Sequence, residues 1–313
     1  MLTFVVKRIV SGIVLLAVIC VLTYVLLFFS GTDIARNLAG DQATEEQVAR
    51  RAQELGLDRP LLERFTTWMV NALGGDLGTS WFTSQPVADV IASRLPVTLV
   101  LVFVSIVLVA IVAAAIGVAA AVRGGWIDRV VQIGSVAGDI IPNFVLALVL
   151  VILFAITWSV FPAVSTISPG APISVWVASM TLPVIAIVIS AVTGSTQQFR
   201  SAVLQQLEKE YVRTLRSRGI GAGEILFAHV LKNAAPAGLT VLSLQFVGML
   251  GGAVIIERIF SLPGIGSTAV TATTQGDIPI VMGVVIATVT IVVVVNLVVD
   301  IANGWLNPKV RVS

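Results

Sequence analysis

Val97–Val122, VTLVLVFVSIVLVAIVAAAIGVAAAV, contains no Asp, Glu, Lys, Arg or His. A helix rises 1.5 Å per residue, so about 20 mostly apolar residues cross a hydrocarbon core about 30 Å thick. This run is long enough, and it reads as a transmembrane helix. Five further stretches qualify on either side of it: Ile9–Phe29, Val130–Trp158, Val175–Thr196, Ala237–Ile256 and Ile278–Ile301. In lipid every backbone amide must be satisfied within the segment, which selects helices, and the short alternating strands of a barrel do not occur. The predicted fold is an all-α polytopic membrane helix bundle of about six transmembrane helices, with the lipid bilayer as its first partner.

Composition agrees. Only 12% of the 313 residues are charged, 57% are hydrophobic, and mean hydropathy is +1.01. Soluble domains carry roughly 25% charged residues, so a soluble fold of this length could not cover its surface. A net charge of +2 gives no reason to expect a nucleic-acid partner. The single cysteine, Cys20, and single histidine, His229, exclude an intrachain disulfide and multi-histidine or thiolate metal sites.

Lys7 and Arg8 precede the first apolar run as they would in a secretory signal. The run is longer than a signal core of ~7–15 residues and no small-x-small site follows at Ser30–Arg36, so it reads as a retained first span. Placing the N-terminus in the cytoplasm puts twelve of the nineteen Lys and Arg on that side, Lys309 and Arg311 among them. Six of the remaining seven fall in one long, acid-compensated loop, where the positive-inside rule is weak. Both termini are expected in the cytoplasm.

The chain then divides into an N-terminal tail and first span (1–30), an extracytoplasmic helical insertion (31–96), a transmembrane core (97–302) carrying a cytoplasmic loop at 199–236, and a cytoplasmic C-terminal tail (303–313). In the first insertion Thr44-Glu45-Glu46-Gln47 fits a capping box for a helix reaching Leu55 and stopping at Gly56. Pro60 fits at or near the first position of a second helix, Leu61–Leu73, which ends before Gly74-Gly75. In the 199–236 loop, Val203, Leu204, Leu207, Tyr211 and Leu215 recur at helical spacing opposite Glu208, Lys209, Arg213, Arg216 and Arg218. A break at Gly219, a shorter helix Glu224–Asn233 and then Pro236 complete a helix–turn–helix. Its apolar stripe needs cover, either from this chain's own helix ends and the lipid headgroups or from a cytoplasmic partner.

Here the residues resemble a known family. Glu210-Tyr211-Val212-Arg213-Thr214-Leu215-Arg216-Ser217-Arg218-Gly219-Ile220, followed by His229 and Asn233-Ala234-Ala235-Pro236, is similar to the EAA loop of binding-protein-dependent ABC importers, in the version found in dipeptide and oligopeptide permeases. Matching pieces follow in order from Leu55–Pro60 and Gly75–Ser80 through Arg94–Leu99, Ile141–Phe144, Gly251–Val254 and Phe260–Gly266 to Asn296–Asp300. The resemblance covers essentially the whole chain and points to the first (B-type) permease subunit of the peptide/nickel class. It implies a homologous second permease, two cytosolic ABC ATPase subunits or domains that bind ATP and Mg, and an extracytoplasmic substrate-binding protein, with no cofactor on this chain. It also implies that Glu210, Tyr211, Arg213, Thr214, Arg216 and Gly219 couple to the ATPases. Within the class the cargo can be a dipeptide, an oligopeptide, glutathione or nickel.

Asp139 departs from the family pattern, which has apolar or small polar residues just before Ile141-Pro142-x-Phe144. A carboxylate inside a span faces a cavity or a partner; Asp139 either lines the path or pairs with a neighbouring helix, and Phe144 is a path candidate beside it. Gly248 and Gly252 form a Gly-x-x-x-Gly spacing that lets backbones approach, at a subunit seam or within this chain. Glu257 and Arg258, at the outer end of that span, are candidates for an outer gate. No Gly-x-x-x-x-Gly-Lys-Ser/Thr run is present to cradle nucleotide phosphates, and no Gly-x-Ser-x-Gly elbow, so no enzymatic activity is expected of this chain. The rival reading is a gradient-driven secondary transporter with Asp139 as its buried ionisable group and Pro142 and Pro183 as kinks. Such a carrier has no need of the amphipathic cytoplasmic helix pair.

Overall fold

The structure, a computed structural model, describes residues 2–29, 34–40 and 42–306. The stretch 30–33 examined for a cleavage site, and Lys309 and Arg311 of the charge count, lie outside the described residues. Along the chain run α1 (Leu2–Phe29), α2 (Ile34–Ala39), α3 (Glu45–Glu54), α4 (Leu61–Leu73), α5 (Val87–Arg123), α6 (Gly125–Ile140) and α7 (Asn143–Leu150), the last extended by a π-helical stretch, Val151–Thr157. Then come α8 (Ile173–Leu207), α9 (Glu210–Ser217), α10 (Ala222–Glu224), α11 (Leu231–Ile259), α12 (Ile265–Gln275) and α13 (Ile278–Leu306). Among the described residues five helices are long and apolar enough to cross a membrane, and six spans result if α6 and α7 count as one.

The chain forms two compact units. One contains Val6–Thr98 and Pro263–Val293. Its small helices begin and end where local chemistry dictates. The Gln47 amide donates to Thr44 Oγ1 at 3.3 Å while the Thr44 amide donates to Gln47 Oε1 at 2.9 Å, the reciprocal capping box. α3 closes with Gly56 at φ +64° and Leu57 N–H on the Ala52 carbonyl, 2.8 Å. α4 closes likewise with Gly75 at φ +90° and Asp76 N–H on the Asn71 carbonyl, 3.0 Å. Pro60 caps α4 from an extended backbone, one position before the first helical residue. These helices lie on a core of Cys20, Tyr24, Ile34, Ile278 and Met282, with Tyr24 edge-on to Phe65 at 5.3 Å. A sequence signal not read in advance is Asp277: its buried carboxylate accepts Ser80 Oγ at 2.5 Å and Trp81 N–H at 3.2 Å, pinning the Gly75–Ser80 turn.

The other unit is built on Leu99–Leu262 and the C-terminal part of α13. α8 is its axis, packed by α6, α7 and α11. Small residues set the spacing. A Cβ on Gly117 would lie 2.8 Å from the Thr196 carbonyl oxygen, and one on Gly238 would lie 2.7 Å from the Phe199 ring. On α6, a Cβ at Gly138 would meet Thr193 at 2.4 Å. Asp128 in the first turn of α6 forms a two-pronged ion pair with Arg200 of α8 and accepts a further bond from Gln132 Nε2.

Two expectations about helix continuity need correction. The third span, expected as one helix over Val130–Trp158, breaks between α6 and α7 with an 87° bend. Pro142 supplies no N–H and pushes Ile141 to φ −85°, ψ 115°, which ends α6, and Pro142 then caps α7. Pro183, the other proposed kink, sits inside continuous α8. The separate helix expected at Glu224–Asn233 does not exist either. α10, a π-helical stretch Ile225–Val230 and α11 form one element from Ala222 to Ile259, with Pro236 inside it. Helix bundles tolerate an internal proline because neighbours and hydroxyl side chains absorb the lost bond.

Candidate functional site

α9 is a short helix between two turns. α8 ends at Leu207 and α9 starts at Glu210, so the predicted stripe from Val203 to Leu215 runs over two helices rather than one. Glu210 lies in the first turn and Arg216 in the last, each favoured by the helix dipole. The C-terminus closes on Gly219 at φ +79°, with Gly219 N–H on the Arg216 carbonyl (3.0 Å) and Ile220 N–H on the Leu215 carbonyl (3.2 Å). Only glycine adopts this left-handed conformation at no steric cost, and it turns the chain sharply into α10.

The apolar face of α9 is covered by this chain itself. Val212 is fully buried, and Tyr211, Leu215 and Ile220 pack with it against Ala202, Val203, Ile225, Val230 and Ala234. What stays open is polar: Glu210, Arg213, Thr214, Arg216, Ser217 and Arg218 are all exposed, as is Gly219. Of the six residues assigned to coupling, five therefore lie on the open side. Tyr211 turns inward, half-buried, its hydroxyl donating to Gln206 Oε1 at 3.3 Å. The result is a rigid, charged ledge seated on the ends of α8 and α11.

The path candidates divide. Asp139 and Phe144 are both exposed, on either side of the α6–α7 break, and Asp139 has no hydrogen bond or ion pair among the described residues. Its Oδ1 lies 3.8 Å from where a Cβ on Gly194 of α8 would be. Gly248 and Gly252 border a notch of 80 Å³ between α7, α8 and α11, together with Asn143, Ser190 and Gln245. A Cβ on Gly252 would lie 3.4 Å from Asn143 Nδ2, an ordinary contact, whereas a Cβ on Gly248 would meet nothing within 4 Å. Glu257 is not on an exposed rim with Arg258: it is fully buried while Arg258 is exposed. Asn143, Ser190 and Gln245 were not singled out from the sequence. A carboxamide inside an apolar span, as at Gln245 three residues before Gly248, is the signal that could have found them.

Residues 111–312 match the family described as binding-protein-dependent transport system inner membrane component, and residues 1–102 match the N-terminal part of such membrane components. The chain belongs to this family of binding-protein-dependent permeases. It is 34% identical over 313 residues to a Brucella abortus protein named as a peptide transport system permease, covering 99% of each chain. A Sinorhizobium fredii protein named as a peptide ABC transporter permease is 33% identical over 309 residues, 98% of this chain and 99% of the relative. The glutathione transport system permease GsiC of Salmonella choleraesuis is 32% identical over 312 residues, 99% of each. Family membership decides between the two transporter classes in favour of an ABC importer subunit. Two features of this chain stand out: an exposed polar ledge on α9 and a polar notch in an apolar bundle. Among the described residues no three His, Cys, Asp or Glu side chains gather to hold a metal.

Proposed function

We propose that this permease forms half of the translocation path of an ATP-driven importer for di- or oligopeptides and receives the ATPase stroke on the polar face of α9. A homologous second permease completes the path, an extracytoplasmic binding protein delivers the peptide, and two cytosolic ATPases bind ATP and Mg. The chain itself binds no cofactor and catalyses no reaction. The α9 ledge and both termini face the cytoplasm, and α2–α4 face outward. The peptide assignment is supported by the names of the Brucella and Sinorhizobium relatives and by glutathione, itself a tripeptide, as the cargo named for the Salmonella ones.

One observation carries the coupling assignment. The ledge has spent its apolar face on its own chain and leaves Glu210, Arg213, Thr214 and Arg216 open. Exposed charges on a helix held at both ends orient a partner and transmit a push, since the helix has nowhere to rotate. Recovery of the native complex in mild detergent, with mass spectrometry of what accompanies the tagged chain, tests this. Wild type brings down a second permease and ATPases, and Glu210→Lys loses the ATPases while keeping the second permease. A chain recovered alone or as a homo-oligomer contradicts the importer assignment.

A further inference from the structure

Polar side chains in a hydrocarbon-embedded bundle are costly unless they find a partner or face a watery path. In the notch between α7, α8 and α11, Asn143, Ser190 and Gln245 converge, each only partly buried. None of these three side chains has a hydrogen-bond partner among the described residues. Ser190 and Gly194 are one turn apart on the same face of α8, with the notch at the first and the unpaired carboxylate of Asp139 beside the second. The α6–α7 break thus sets the Asp139 carboxylate and the Asn143 carboxamide beside successive turns of α8. On the opposite wall Gly248 and Gly252 offer backbone without side chains, and with Gly248 a Cβ would meet only open space.

We infer that this notch is a contact site for the peptide main chain in transit, with Asn143 and Gln245 bonding its amide groups and Asp139 receiving its α-ammonium group. A carboxamide offers two donors and an acceptor and so matches the N–H and C=O of a peptide group whatever the side chains. A notch of 80 Å³ is on the scale of a peptide unit rather than of a whole peptide. The site therefore reads what all peptides share. A carboxylate with no cationic partner of its own complements a free amino terminus. This assignment rests on the peptide reading above and locates it in particular atoms.

The test uses the whole complex in proteoliposomes with its binding protein and ATP. It follows uptake of labelled trialanine, N-acetyl-trialanine and trialanine methylated on its peptide nitrogens. Asn143→Leu and Gln245→Leu are expected to slow trialanine about fivefold or more, the worth of one or two hydrogen bonds. They should also erase the wild-type preference over the methylated peptide, a change that mere loosening of the fold would not produce. Ser190→Ala, a smaller change, keeps the test open if the leucine variants fail to assemble, and it should reduce that preference in part. Asp139→Asn should slow trialanine and leave N-acetyl-trialanine unchanged. Retention of the wild-type preference in the notch variants, or equal slowing of both peptides by Asp139→Asn, overturns the site. Failure of the assembled wild-type complex to move any of the three peptides instead overturns the peptide reading beneath it.

Discussion

At the scale of single residues, glycines set how closely the helices of the α8-centred unit approach. Gly117 is the sharpest case, since a Cβ there would meet the backbone of Thr196 at 2.8 Å and the Arg200 amide at 3.0 Å, atoms that cannot swing aside. Gly117→Ala should lower the thermal midpoint of the purified complex, at a cost of about 1–3 kcal/mol typical of overpacking. An unchanged midpoint would show that α5 and α8 can separate freely there. Gly219 was legible from the sequence because its demand is local: a helix must stop and the chain must reverse. Gly117 was not, because its requirement depends on which residues of α8 arrive opposite. Glu257 shows the same limit. Its position at the end of an apolar run suggests an exposed rim, yet the surrounding fold buries it completely.

At the scale of elements, what could be read depended on how locally each boundary is encoded. The α3 and α4 boundaries follow from Thr44, Gln47, Gly56, Pro60 and Gly75, and were placed to within one residue. Four prolines show the opposite. Pro142 ends a helix, whereas Pro96, Pro183 and Pro236 lie inside helices, and packing decides which. The polar face of α9 was recognisable from its motif, but the fate of its apolar face required knowing that the ends of α8 and α11 converge beneath it. The Asp128–Arg200 pair fixes the start of α6 to the end of α8, just before that ledge. Removing one partner leaves the other charge half-buried and alone, which is worse than removing both. Arg200→Met should therefore depress the thermal midpoint more than the Asp128→Leu/Arg200→Met double variant. A double variant less stable than the single would contradict the cost assigned to the stranded Asp128 charge.

At the scale of the whole chain, the polytopic all-α character was evident from Val97–Val122 and its five companions, because lipid leaves the backbone so few options. The proposed sidedness rests on the Lys and Arg distribution. The proposed coupling sets the open face of α9 against a cytosolic ATPase. The chain's sole cysteine, Cys20, is buried, so Thr214→Cys places a single accessible thiol on the ledge. Coupling a maleimide–benzophenone reagent to that thiol and irradiating the native complex then inserts the benzophenone into a C–H bond of whatever lies against it. The predicted result is a covalent product of this chain with an ATPase subunit, absent from the wild-type chain. A Thr214→Cys complex that contains ATPases, accepts a monofunctional maleimide at the new thiol and yet forms no such product would contradict the claim.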